Sequence, residues 1–76
     1  MFDKKIFSTR LITMRKERNI STRLLAKEVG ISQQAISQFE KEQTYPHCNT
    51  LLALADYFDV SLDYLTGRTD NPKINR

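Results

Sequence analysis

Gly30 constrains this chain most, because it stands between two stretches of helical periodicity in STRLLAKEVGISQQAISQFE, residues 21–40. Before it, Leu25, Ala26 and Val29 recur at offsets of one and four, which places them on one helical face. Ser21 precedes that run, and its hydroxyl can accept a free backbone N–H of the first turn. Glycine ends such a helix readily, since it takes the left-handed conformation without steric penalty. Ile31 is placed to tuck beneath the turn, and Ser32 is a second capping residue directly after it. A helix that stops at glycine and restarts at a capping serine must change direction sharply. The spacing predicts helices over residues 22–29 and 33–40.

The second of these helices has two unlike sides. At about 100° per residue, Gln33, Ser37, Gln34 and Gln38 fall within one sector of roughly 140°. Ala35, Ile36, Phe39 and Glu40 fall on the other side, which is apolar apart from Glu40. A glutamine carries one acceptor and two donors on a flexible stem. It can bond bidentately to adenine N6 and N7 in the major groove. On an isolated helix such a sector is ordinarily a solvated face. Directly after a serine-bounded glycine turn, it fits a helix-turn-helix whose second helix faces DNA.

Seventy-six residues, 39% of them hydrophobic, suffice for one small domain with one modest core. Such a core supplies roughly 3–5 kcal/mol. The single cysteine, Cys48, excludes an internal disulfide and a Cys-rich zinc cluster, and it reads as a buried, reduced thiol. No apolar run approaches the roughly 20 residues of a membrane span. The basic start lacks a following apolar block, so no signal peptide is expected. These features predict a cytoplasmic protein with no membrane segment and no cofactor.

The net charge of +3 is unevenly spread. Residues 1–23 hold seven Lys/Arg against two Asp/Glu, residues 24–67 two against six, and residues 68–76 three against one. Positive charge in the first helix, at the start of the second and in the tail is where a polyanion would be met. Charges in such positions can also be mere solvated surface.

Along the chain, residues 1–5 read as a frayed arm. A helix is expected from residue 6 or 7 to 18, with Phe7, Leu11 and Met14 as its buried stripe and Ile12 at the edge. Asn19 can end it and Ile20 can anchor the connection. Arg15 lies beside this stripe, and Glu40 lies at the apolar edge of the 33–40 helix. Two half-buried charges are awkward unless they pair, so a structural ion pair between Arg15 and Glu40 is expected. Pro46 closes a loop. A fourth helix follows to Phe58 with Leu51, Leu54, Ala55 and Phe58 inward. Asp59 ends it, Val60 plugs the core, Ser61 caps a short helix over 62–65, and Gly67 terminates it. The polar stretch 68–76 reads as a mobile tail. There is no internal repeat and no low-complexity run.

With LLAKEVGISQQAISQFEK, Pro46, LLALADYFDVSLDYL and Gly67 at these spacings, the chain resembles the Cro/CI-type helix-turn-helix regulators over about residues 7–67. SQQAISQFE is similar to the recognition helix of the phage 434 repressor and Cro proteins. The resemblance implies an all-α, compact five-helix bundle of the lambda-repressor-like DNA-binding type. It covers residues 6–67, with arm 1–5 and tail 68–76 outside. It implies base reading by Gln33, Gln34, Ser37 and Gln38. Contacts to the DNA backbone fall at Thr22, Arg23, Ser32 and Lys41, and through the loop at Gln43 and Thr44. It implies a homodimer on a palindromic operator, with His47, Cys48, Leu62 and Tyr64 at the interface. Glu42 departs from the family, where glycine is usual, and a left-handed glutamate is costly, which predicts a rearranged loop. His47 stands where some relatives approach the minor groove.

The function expected is therefore a sequence-specific transcriptional regulator, a repressor in the first instance. A protein-binding module of the same fold, such as an antitoxin, is the alternative, with Leu24 as an odd apolar residue where relatives often carry glutamate. An enzyme is not expected. His47 and Cys48 have no partner motif, no Gly-rich phosphate loop exists, and Asp56, Asp59 and Asp63 read as a solvated face.

Overall fold

The computed structural model describes residues 3–74. Five α-helices, and no strand, occur among them: α1 (Lys4–Glu17), α2 (Thr22–Val29), α3 (Gln33–Glu40), α4 (Cys48–Phe58) and α5 (Leu62–Leu65). Four of the five start at a side-chain cap. The Asp3 carboxylate accepts from the Lys5 and Ile6 N–H groups at 2.9 and 3.2 Å. Ser21, Ser32 and Ser61 accept from Leu24, Ala35 and Tyr64 at 3.0, 3.1 and 3.0 Å. Each bond satisfies a donor that the first helical turn leaves orphaned. Because Asp3 caps it, α1 begins at Lys4, and Lys4 and Lys5 are helical where a frayed arm was expected. Residues 1 and 2 of that arm lie outside the described residues.

All five helices stop in the same way. A left-handed residue follows each: Asn19 (φ 57°), Gly30 (78°), Glu42 (62°), Asp59 (55°) and Gly67 (87°). The next N–H then reaches the carbonyl five residues back. These bonds run Ile20 to Arg15, Ile31 to Ala26, Gln43 to Gln38, Val60 to Ala55 and Arg68 to Asp63, at 2.7–3.2 Å. This closure satisfies carbonyls that would otherwise end the helix unpaired. In three joints the same triplet appears: Asn19-Ile20-Ser21, Gly30-Ile31-Ser32 and Asp59-Val60-Ser61. The first residue reverses the chain, the second packs on the core, and the third caps the next helix. A scan for domain-scale repeats does not register a unit this short.

Each helix contributes to one core. Phe7, Leu11 and Met14 come from α1, Leu25 and Ala26 from α2, Ile36 and Phe39 from α3, Leu54, Ala55 and Phe58 from α4, and Leu65 from α5. Phe7 meets Phe39 edge to face, ring centres 5.8 Å apart. α1 packs on α3 and α5, α2 on α3 and α4, and α4 on α5. No helix among the described residues is long and apolar enough to cross a membrane.

The segment after Gly67 is tied back, which its polar composition did not predict. Arg10 of α1 donates to the Thr69 carbonyl at 2.7 Å and the Asp70 carboxylate at 3.0 Å, and also to the Tyr64 carbonyl. Its guanidinium lies 4.1 Å from the centre of the Tyr64 ring. The Ser61 N–H donates to the Pro72 carbonyl at 2.9 Å. Most of these acceptors are backbone carbonyls, which carry no compositional signal. Residues 75 and 76 of the expected tail lie outside the described residues.

A Cβ added at Gly30 meets no heavy atom within 4 Å, so Gly30→Ala isolates the backbone cost of its positive φ. The expected loss is about 1–2 kcal/mol in urea unfolding followed by circular dichroism. A loss within the scatter of surface substitutions would show that the α2–α3 joint relaxes at no cost.

Candidate nucleic-acid interface

The α2–α3 joint sets the direction of α3, and the burial of Ile36 and Phe39 sets its roll. Ile36 and Phe39 are 0% and 6% exposed. Gln33 and Gln34 in the first turn are exposed, and Ser37 and Gln38 one turn on are half-buried. The structure thus brings these four polar side chains together along the side of α3 that turns away from the core. Gln33 is further held: its Nε2 donates to Thr22 Oγ1 at 3.1 Å. Thr22 and Gln33 are the first residues of α2 and α3, so the bond links the two helix starts. Gln33 keeps its Oε1 and one N–H for a ligand.

Around this strip stand Arg23, Ser32, Lys41 and Gln43, all exposed, with Thr22 and Thr44 half-buried. The Ser32 hydroxyl caps α3. The loop differs from expectation. Glu42 takes the left-handed conformation itself, and no rearrangement avoids it. Its N–H and that of Gln43 bond the Phe39 and Gln38 carbonyls at 3.2 and 2.9 Å. Two such bonds, at about 1 kcal/mol each, offset the about 1–2 kcal/mol of the conformation. The same geometry takes the Gln43 N–H away from any phosphate, so Gln43 can contribute only its side chain.

Arg15 and Glu40 meet in a two-pronged pair. Arg15 Nε lies 2.7 Å and Nη2 3.2 Å from the two Glu40 oxygens. The side chains are 14% and 13% exposed. Arg15 Nη1 also donates to the Ile20 carbonyl at 2.9 Å, and Ser8 Oγ donates to the Glu40 carbonyl at 2.6 Å. One guanidinium therefore joins α1, the α1–α2 joint and the end of α3.

Charge counting over residues 1–23 overstates the cations that face solvent. Arg10 and Arg15 are turned inward as described. Arg18 donates to the Tyr57 and Phe58 carbonyls at 3.3 and 2.9 Å, closing the end of α4. Lys4 lies over the Tyr45 ring at 4.8 Å. Sequence reasoning missed these roles because each partner lies far along the chain. Only Arg15, beside an apolar stripe, carried a local signal.

His47, Cys48 and Leu62 are exposed, and Tyr64 is half-buried beneath Arg10. The thiol expected to be buried is not. Leu54 is buried, Leu51 half-buried and Cys48 exposed, so the α4 stripe runs out beyond the core at its first residue. Leu24 is 39% exposed on α2.

Comparison with known proteins follows this geometry. The helix-turn-helix family profile matches residues 11–65. The uncharacterized HTH-type transcriptional regulator YobD of Bacillus subtilis is 34% identical over 67 residues, 88% of this chain and 60% of its own. Repressor protein C2 of Salmonella phage P22 is 39% identical over 61 residues, 80% of this chain and 28% of its own. The chain thus spans less than two thirds of YobD and under a third of the P22 repressor. The crystal structure of the P22 c2 repressor with synthetic operator 9T superposes with a TM-score of 0.76 at 40% identity. That match covers 79% of this chain and 91% of that one.

The ion pair yields a stability test. Arg15→Ala and Glu40→Ala are each expected to cost about 3 kcal/mol, the low end for a buried pair, because some exposure remains. The double change Arg15→Met with Glu40→Leu should recover most of that loss. Urea titrations of the parent, the two alanine variants and the double alanine variant give the coupling, and a value near zero would remove the pair as a determinant of the fold.

Proposed function

The chain belongs to the helix-turn-helix family, and we propose that it is a sequence-specific DNA-binding transcriptional regulator that acts as a repressor. One observation carries this reading: Gln33, Gln34, Ser37 and Gln38 share the outward side of α3. An α-helix fits the major groove, and amides there can pair with base edges. Gln33, steadied by Thr22, offers an acceptor and a donor side by side, the pattern that adenine N6 and N7 require. Gln34, Ser37 and Gln38 meet the neighbouring positions. Arg23, Lys41, Ser32, Thr22, Thr44 and the Gln43 side chain flank the strip and supply phosphate contacts, which fix register without reading sequence.

The protein acts as a homodimer on a palindromic operator, with half-sites about one helical turn apart. The dimer face lies at the start of α4 and on α5, through His47, Cys48 and Leu62, with Tyr64 shaping it from beneath. No cofactor takes part, and the site of action is the nucleoid in the cytoplasm. The exposed Leu24 favours a second reading, a protein-binding module of antitoxin type, which co-purification with a partner chain that Leu24→Glu abolishes would support.

Gln33→Ala and Gln34→Ala should each cost about 1–3 kcal/mol on the selected operator and relax preference at one base pair. Anisotropy titrations on operators selected from random duplex measure both effects, and unaltered binding to every sequence after both changes refutes the reading. Arg23→Ala should weaken all duplexes alike and reduce the slope of log K against log salt by about 0.9. A slope that stays put removes Arg23 from the phosphate contacts.

A further inference from the structure

Between α4 and α5 lies a groove of about 310 Å³. Leu52 and Leu62 flank it, 42% and 37% exposed, with Val60 between them. Asp56 and Asp63 stand at its rim. Ile74 also lines it, although it lies beyond the last helix. The segment that brings Ile74 there is anchored twice. Arg10 holds the Thr69 carbonyl and the Asp70 carboxylate, and the Ser61 N–H holds the Pro72 carbonyl.

We propose that residues 69–74 form a strap seated on the α4–α5 groove, which competes with a second copy of the chain for that face. The inference rests on the dimer face proposed above. Leu62 and Ile74 line the same groove, so a second copy that buries Leu62 there meets the strap at Ile74. Charge favours the strap. A two-fold copy brings a second set of Asp56 and Asp63 carboxylates to the rim. The strap instead follows Arg68, which lies 3.9 Å from Asp63, and carries Lys73 next to Ile74. Like charges between copies raise the cost of association, whereas in the strap Lys73 offsets the rim carboxylates and the one acid, Asp70, is held by Arg10. Seated, the strap covers part of the face and leaves Leu52 and Leu62 only partly exposed; released, it leaves the whole of it open to a partner copy.

The test uses the full chain without DNA, compared by sedimentation equilibrium with the double variant Asp70→Ala, Ile74→Ser. Asp70 is fully exposed and Ile74 lies outside the core, so circular dichroism should show an intact fold. Self-association should tighten by about tenfold or more, the factor for freeing a face that is open roughly one tenth of the time. Hydrogen exchange of the Ser61 amide should be slowed in the parent and faster in the variant. Self-association that is unchanged or weaker in the variant overturns the strap, as does an unprotected Ser61 amide in the parent. Leu62→Glu separates the two ideas. If it weakens self-association and the strap variant does not tighten it, the strap alone fails. If it has no effect, the dimer face fails and the strap with it.

Discussion

Four hydrogen bonds converge where α1, the α1–α2 joint and the end of α3 meet, and the attitude of α3 depends on them. Arg15 makes two to Glu40 and one to the Ile20 carbonyl, and Ser8 makes one to the Glu40 carbonyl. Removing both charges from water is expensive, and the paired geometry offsets that cost only because every prong of the fork finds an acceptor. Apolar contacts alone leave a helix some freedom to roll. The two-pronged Arg15–Glu40 pair limits that freedom, and together with the burial of Ile36 and Phe39 it keeps Gln33, Gln34 and Gln38 outward.

Local chemistry was legible, and distant partnership was not. Ser21, Gly30 and Ser32 announce their joint because a cap and a left-handed residue act within a few positions. The bounds of α2 and α3 follow from them. The buried stripes of α1 and α4 follow from periodicity, and Arg15 and Glu40 betray themselves by sitting beside such stripes. Asp3 went unread as a cap because Lys4 and Lys5 follow it directly and the buried stripe of α1 starts only at Phe7. Arg10 and Arg18 went unread because their acceptors are carbonyls contributed by the far half of the chain. Cys48 was expected buried because free thiols usually are, but residue type carries no information about where the core stops. Glu42 shows a third kind of failure. Backbone geometry that most residues resist was held by two helix-end bonds rather than by a favourable side chain.

Net charge is consequently a poor map of this surface. Arg10, Arg15 and Arg18 all donate to carbonyls near helix ends, where the backbone presents partial negative charge. They behave as internal staples. The cations left outside are mainly lysines, with Arg23 and Arg68, and the polar strip of α3 is itself uncharged. In the proposed regulator, affinity and discrimination therefore reside in different residues, the first in Arg23 and Lys41 and the second in amides.

The five helix ends share one further property. Each closes through bonds that span no more than six residues, and three lead at once into a serine that starts the next helix. Contacts so short in sequence involve little loop-closure entropy. A domain dominated by them has low contact order, and small helical domains of that kind fold in roughly microseconds to milliseconds. A chain of this kind folds faster than two copies at micromolar concentration can meet, so in the proposed dimer the encounter between copies, rather than folding, is the slower step.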